Sequence, residues 1–576
     1  MERQPPSSTN DAIDLYIRTY YSLLRSSGEV RVRSFEESHA FSDSSLHPGA
    51  RDATPDVAAF AYAAARLPAC MPAVGRVVLG QSHEQFEAAG HPVQDWDRVR
   101  ARGRRRPQRW NGGDTLAVFV TSTSDIDDLV PILTAYQIEW NKLYERLAGT
   151  DLGRALAGGI TGEMTVTAER DAVGGAVGLD AHGAATLAAA FGEGWEPGVR
   201  ALAAGPLDLV VRLLNGSFSQ YQRTAQRWWS GIEPRYVRPT QPRRPPVYFV
   251  SSNTHALANM LGGYALARRD EVLARAMAED REGLGETIAK ALATRDEGEL
   301  ANLSYYLLGQ TLRGLGGEPV DAVRRYEEEA GIATIEDPGH VDVNAQVVSL
   351  AALRPERLDA RVRVPGIEAL AGSDAVVLNI DYPLGMAAYH HLARVAQGVG
   401  EVRGIYVMGK AATLNGRVGD VMVSGVIHDE HSQNTYLLRN CFGAADVQPY
   451  LRHGTVLDNQ KALTVRSAFL QNREYMGVFY REGYTVLEME AGPYVSAVFE
   501  MADPRRHPIN EIVHLSNVTP FDLGILHYAS DTPYSRRQSL LSKSLSFFGV
   551  DATYGCATAI VRRILQAEVA RVRAGG

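Results

Sequence analysis

In the last third of the chain, side chains able to do chemistry stand directly after short apolar runs. Asp381 follows residues 375–380, Gly409 and Lys410 follow 404–408, and His428 comes after 421–426. Glu490 comes shortly after 485–487, and Asp531 after 523–529. A carboxylate so placed can bind hydroxyls, oppose developing positive charge or pass a proton. The backbone amides of residues 409–412, with Lys410 beside them, can cradle an anion. Each position also has a plainer reading. Asp531 suits a helix N-cap, Glu490 a first helical turn where the dipole favours an acid, Asp381 an Asx turn before Pro383, and Lys410 an exposed position. His428 and His431, with Asp429 and Glu430 between them, suggest a metal. Ligands three apart share a face only on a helix, however, and a strand-exit loop gives no such geometry. No metal and no cofactor is expected, which leaves His428 as a substrate contact or a partner in a loop hydrogen-bond network.

Those positions need a scaffold. Apolar runs at 375–380, 404–408, 421–426, 485–487 and 523–529, separated by helical stretches or loops, predict a sheet covered by helices. Polar loops at the carboxyl ends of such strands are where open α/β sheets bind ligands. The expected fold is therefore α/β, a C-terminal mixed sheet flanked by helices, preceded by a mainly helical N-terminal region. In that region residues 12–24 have helical spacing and 116–121 form a β-rich run. After Ser124, the residues Ile126, Leu129, Leu133, Tyr136, Trp140, Leu143 and Leu147 step by three and four. The expected boundaries are a disordered leader at 1–10, the helical region at 11–240 with a proline-rich connector at 238–246, an α/β or helical insertion at 247–355, and the main sheet unit at 360–572.

Bulk composition narrows the function classes. With 576 residues the chain is too long for one compact core. A net charge of -8 gives no case for nucleic acid as the main partner, because phosphate neutralisation needs a concentrated basic face. Seven arginines do cluster at 98–109. A solvated loop containing Gly103 and Pro107 explains them better than a grip on phosphate or RNA, since one aromatic beside a charge run is no stacking platform. There is no run of about eighteen apolar residues, and the first residues are polar and proline-containing, unlike a secretory leader. The 3 cysteines are too scattered for a disulfide framework. A cytoplasmic protein without a membrane partner is expected.

Four motifs occur in fixed order. Asn379-Ile-Asp-Tyr-Pro-Leu-Gly385-Met386 comes first, and Gly404-Ile-Tyr-Val-Met-Gly409-Lys410-Ala411-Ala412 second, with Arg417-Val-Gly-Asp420-Val421 after it. Thr485-Val-Leu-Glu488-Met489-Glu490-Ala491-Gly492 and Tyr528-Ala-Ser-Asp531-Thr532 complete the set. In this order, residues 360–570 resemble the catalytic core of the nucleoside phosphorylase and nucleosidase superfamily: purine nucleoside and uridine phosphorylases, methylthioadenosine nucleosidase and AMP nucleosidase. The resemblance implies a phosphorylase-type sheet, a homo-oligomer and cleavage of an N-glycosidic bond. That reaction builds positive charge on the sugar and negative charge on the base, so it needs an anion by the ribose and an acid by the base. Carried over by position, Met489 packs against the ribose, Glu490 accepts hydrogen bonds from its hydroxyls, and Asp531 protonates the leaving base.

The resemblance also places Gly385 in a strand-to-helix turn, Asp381 beside the ribosyl site where it could orient water, and His428 where family members contact substrate. Arg536 could neutralise Asp531 or bind the base, or simply be solvated. His390 and His391 read as packing and surface residues, and His527 as a satisfied core histidine. Two departures matter. Tyr406 stands where phosphorylases often carry an arginine, and Gly409-Lys410-Ala411-Ala412 replaces Gly-Ser-x-Gly. Hydrolysis of a nucleoside or nucleotide is accordingly the expected reaction, with Lys410 a candidate contact for a substrate's own 5'-phosphate. The alternatives are phosphorolysis with inorganic phosphate, Lys410 replacing the arginine, and a nucleotide-binding regulator without turnover.

Overall fold

Ser122 opens the longest N-terminal helix, Thr123–Ala148, through a capping box with Asp125. All seven apolar positions that step along this helix are buried, against a core built by the N-terminal half. The structure, a computed structural model, describes residues 11–158, 169–237, 243–279, 283–312, 317–532 and 547–575. The expected leader at 1–10 and Arg536 lie outside the described residues.

The same helix buries Asp125, Asp127, Asp128 and Glu139. A buried carboxylate persists only when paired. Asp127 accepts from the Tyr20 hydroxyl at 2.6 Å. Glu139 meets His47 at 2.7 Å and Lys142 at 2.6 Å. Asp125 and Asp128 draw in the arginine-rich segment: Arg106 Nε lies 2.8 Å from Asp125 and its Nη2 2.9 Å from Asp128, while Arg104 Nη2 lies 2.6 Å from Asp128. Burial alone would raise the Asp128 carboxyl, but Arg104 and Arg106 outweigh it and hold it below its ordinary value. The expected solvated loop is corrected at two positions: Arg104 and Arg106 are pulled inward by acids on a helix some twenty residues downstream, Arg106 being only 3% exposed, while Arg98, Arg100, Arg102 and Arg105 are exposed.

The N-terminal half is mainly helical but also carries a six-stranded sheet. Its strands are β1 (Val30–Arg31), β2 (Arg76–Gly80), β3 (Asp97–Val99), β4 (Gln108–Trp110), β5 (Thr115–Phe119) and β6 (Val210–Leu213), in the order β1-β6-β2-β5-β4-β3. The run at 116–121 corresponds to β5, and the other strands are too short or too polar to stand out.

Eleven strands form the second sheet: β7 (Val247–Ser252), β8 (Ile332–Ile335), β9 (Ala345–Ser349), β10 (Val376–Asp381), β11 (Val402–Thr413), β12 (Val421–Asp429), β13 (Asn434–Leu437), β14 (Val456–Thr464), β15 (Tyr484–Glu488), β16 (Ile512–His514) and β17 (Asp522–Asp531). β7 runs parallel to both β10 and β11, and β11 parallel to β17. β11, β15, β14, β12 and β17 pair in a closed ring. Apolar clusters cover the sheet on both sides, which accounts for the nearly unbroken apolar runs of its central strands.

One loop of this sheet unit enters the N-terminal half. Ser45 N–H donates to Gln471 O at 2.7 Å, Arg473 N–H to Asp43 O at 3.1 Å, and Asn472 Nδ2 to Ser42 O at 3.1 Å. Phe469 beside them packs in the N-terminal core, its ring edge-on to Tyr62 at 5.2 Å and close to His39 and His47. No helix among the described residues is long and apolar enough to cross a membrane.

Replacing Asp128 by alanine would strand Arg104 and leave Arg106 with Asp125 alone. The expected cost is about 3–5 kcal/mol, read as a lower urea midpoint. An unchanged midpoint would show that Arg104 and Arg106 do not depend on that carboxylate.

Candidate active site

A cavity of about 390 Å³ opens where the carboxyl ends of β11, β15 and β17 face the N-terminal half. The second half of β11 supplies Met408 to Ala412, β15 ends in Glu488 followed by Met489 and Glu490, and β17 ends in Ser530 and Asp531. Opposite them stand Tyr62 and Arg66, at the end of the helix Val57–Ala65, and Arg104 and Arg105 from the segment between β3 and β4. Ala411 pairs with Ala529 but Ala412 with Asp531, so the ladder skips Ser530. Such a bulge re-aims side chains at the end of a strand. Ser530 Oγ then lies 3.3 Å from both Ala411 O and Asp531 Oδ2.

Glu488 and Glu490 are buried side by side. Glu488 Oε2 accepts from the Glu490 and Ala491 amides at 2.7 and 2.6 Å, and its Oε1 from the Thr464 hydroxyl. Glu490 Oε1 accepts from the Gly385 amide at 3.2 Å and Oε2 from the Met489 amide at 3.2 Å. Burial first, and then the neighbouring Glu488, push the Glu490 carboxyl up to about 8; burial pushes Glu488 up to about 7. Arg104 pulls Glu490 the other way.

Gly385 holds its place for a steric reason. Its φ is +52°, and a Cβ there would stand 2.2 Å from Ser124 Oγ. Ser124 Oγ accepts from the Met386 amide at 2.9 Å and lies 3.2 Å from His431 Nε2, whose Nδ1 is 2.9 Å from Asp429 Oδ1. This is a serine, imidazole and carboxylate in series. Ser124 is fully buried and outside the cavity lining, with its oxygen already engaged by the backbone, so the chain clamps the 385–386 turn instead of presenting a nucleophile.

Asp531, Glu490, Met489, Gly409 and Lys410, separated by up to some 120 residues in sequence, line the one cavity. Three other expected contacts do not. Asp381 is buried and spent: Oδ1 accepts from the Thr254 amide and hydroxyl, both at 3.1 Å, and Oδ2 lies 2.8 Å from Arg105. It anchors Arg105 and does not face the cavity. Gly385 sits behind Glu490. His428, expected as a substrate contact or a hydrogen-bond partner, takes the second role and stands away from the cavity lining: its Nδ1 pairs with Thr435 Oγ1 at 2.9 Å, and its ring lies near Phe479 and Tyr484. His527, expected as a satisfied core histidine, is in the core but not satisfied: burial pushes it down to about 4, and neither ring nitrogen finds a hydrogen bond among the described residues, Glu488 being 4.0 Å away.

Sequence reading missed Tyr62, Arg66, Arg104, Arg105 and Tyr382 as cavity residues. The Tyr382 ring fills the space where a Gly409 Cβ would stand, 2.4 Å from its Cζ, which explains the glycine there. Its presence in the first motif was the one available signal.

A family of unknown function (DUF6909) matches residues 32–566. No curated protein matches the chain. Similar solved structures over part of the chain are nucleosidases and phosphorylases. A putative methylthioadenosine nucleosidase from Weissella paramesenteroides is 10% identical, with a TM-score of 0.28 over 44% of this chain and 97% of its own. A 5'-methylthioadenosine/S-adenosylhomocysteine nucleosidase from S. pneumoniae, with a transition-state inhibitor, is 12% identical, with a TM-score of 0.25 over 39% and 87%. Uridine phosphorylase from Schistosoma mansoni in complex with uracil is 10% identical, with a TM-score of 0.25 over 33% and 71%. At such scores these likenesses carry no argument about activity.

The elevated Glu490 carboxyl has a stability consequence. Between the unfolded value of 4.5 and about 8 the folded chain keeps a proton that the unfolded chain has released. Its contribution is therefore fully present below the lower value and is lost as pH rises through the upper one. Glu490→Gln should melt together with the parent near pH 5 and a few degrees above it near pH 9. A constant difference across that range would show that Glu490 does not titrate there.

Proposed function

This chain belongs to the family DUF6909, and we propose that it cleaves the N-glycosidic bond of a nucleoside or nucleotide by hydrolysis. The observation that carries the reading is that Met489, Glu490 and Asp531 meet in one cavity with Gly409 and Lys410, which lie within strand β11 and not in the loop expected there. As the bond between the anomeric carbon and the base nitrogen breaks, positive charge grows on the sugar and negative charge on the base. Glu490, fixed by the Gly385 and Met489 amides, faces the sugar as its hydrogen-bond acceptor. Asp531, at the end of β17, gives its proton to the departing base. Water then forms the new bond to the anomeric carbon, and the proton it sheds restores the Asp531 carboxyl.

Apolar side chains, among them Leu46, Met408, Val465 and Leu487, form much of the remaining lining and suit the faces of a base and a sugar ring. A ligand held there is screened from solvent by the N-terminal half, which strengthens each polar contact.

The test is base release by the purified full-length protein from a panel of purine and pyrimidine nucleosides and their 5'-monophosphates, with and without inorganic phosphate. Release without added phosphate is expected, falling about 10²–10⁴-fold in Asp531→Asn, the range general acid catalysis supplies. Formation of a sugar 1-phosphate would replace hydrolysis by phosphorolysis, and tight binding without release would make the protein a ligand sensor.

A further inference from the structure

The N-terminal wall of the cavity carries cations that the proposed cleavage does not use. Arg66 lies flat on the Tyr62 ring, its guanidinium carbon 3.3 Å from the ring centroid, and donates from Nη1 to Tyr62 O at 3.1 Å. It makes no ion pair among the described residues. Arg104 gives Nη2 to Asp128 at 2.6 Å. In both arginines the Nε–H is buried and has no acceptor among the described residues. The two guanidinium groups lie close enough to repel each other, and that repulsion, after burial, helps lower Arg66.

Two guanidinium groups side by side in the cavity wall, each with a buried donor lacking an acceptor among the described residues, carry a desolvation cost that Asp128 offsets for Arg104 but not for Arg66. An oxyanion with several acceptor atoms in the cavity would offset the repulsion and take the guanidinium donors that line it. Guanidinium groups suit it because their planar forks match phosphate geometry. The lining agrees in sign: Arg66, Arg104, Arg105 and Lys410 stand against Glu488, Glu490 and Asp531, of which the two glutamates are pushed toward neutrality. Arg105 is left out of the pair because its side chain is 58% exposed, and it has no buried donor lacking an acceptor of the kind that Arg66 and Arg104 carry.

We infer that Arg66 and Arg104 form a phosphoryl-binding site in the cavity wall, so that the N-terminal half selects a phosphorylated ligand for the chemistry of the C-terminal sheet. The identity of the remaining ligand, a base on a sugar, rests on the proposed nucleoside cleavage. The phosphoryl group is either the substrate's own ester or free phosphate, and binding measurements separate the two.

Calorimetric titration of the full-length protein with a nucleoside, its 5'-monophosphate and inorganic phosphate is run on the parent, Arg66→Gln and Arg66→Lys, with melting curves confirming that each variant folds. A monophosphate bound about tenfold or more tighter than the nucleoside, a preference lost in Arg66→Gln and partly restored in Arg66→Lys, supports an ester phosphate at this site. If instead inorganic phosphate binds alone, raises nucleoside affinity and loses both effects in Arg66→Gln, the site stands and takes the free ion. Equal affinities for nucleoside and monophosphate, with phosphate inert and Arg66→Gln indistinguishable from the parent, overturn the site. Base release is scored separately: phosphate-dependent binding without release sinks the cleavage reading alone, and release indifferent to Arg66 and to phosphate sinks the phosphoryl site alone.

Discussion

Asp125 and Asp128 stand one helical turn apart at the start of the helix Thr123–Ala148, and the placement of Arg104 and Arg105 in the cavity wall depends on how their charge is met. Neither has water to turn to, so the segment between β3 and β4 folds back to place Arg104 and Arg106 upon them. Once that happens Arg105, between them in sequence, can only project toward the sheet, where Asp381 receives it. A charge requirement inside one half of the molecule thereby becomes a contact with the other. The pairing need not be a net source of stability, because desolvating both partners offsets most of their attraction. Its effect is geometric: it fixes where the cations of the cavity point.

A second link works from the opposite side. Asp429 orients His431, His431 meets Ser124, and Ser124 holds the amide of Met386, so the turn that aims Gly385 N–H at Glu490 is secured by the first turn of an N-terminal helix. The loop carrying Phe469 adds an apolar anchor in the N-terminal core. With ion pairs, a hydrogen-bonded relay and a buried ring all crossing the same boundary, the cavity keeps one shape only while both halves stay docked. A site assembled in this way is sensitive to substitutions far from its lining.

The sheet and the convergence of Asp531, Glu490, Met489, Gly409 and Lys410 were legible because strand ends recur at apolar runs and ligands collect at the carboxyl ends of strands. The substrate-contact reading of His428 fails because it lies on β12 itself and not past its end, where alternation along a strand decides the face: its side chain goes to Thr435 and the neighbouring aromatic rings. The arginine run was misread at Arg104 and Arg106 for a different reason. A charge run is normally solvated, and what reverses that here is a set of acids buried on a helix, whose burial is tertiary and leaves no local mark. Most of the N-terminal sheet escaped notice because its strands span only two to five residues, too few for a period to show. Tyr62 and Arg66 carried no signal at all, since their importance comes from where the helix Val57–Ala65 ends in space.

The two proposals meet at Asp531. A carboxyl must hold its proton before it can donate it, and a nearby cation favours the ionised form; Arg66 lies within electrostatic reach of Asp531. A phosphoryl group on Arg66 and Arg104 offsets the cationic charge on that side and leaves the proton of Asp531 better placed for the base. Glu490 is affected in the opposite sense, because the growing positive charge of the sugar favours its anion while Glu488 and burial resist it. On the two proposals taken together, ligand charge would set the two carboxyls to their different tasks, with the N-terminal half as the source of the fixed positive charge that the ligand balances.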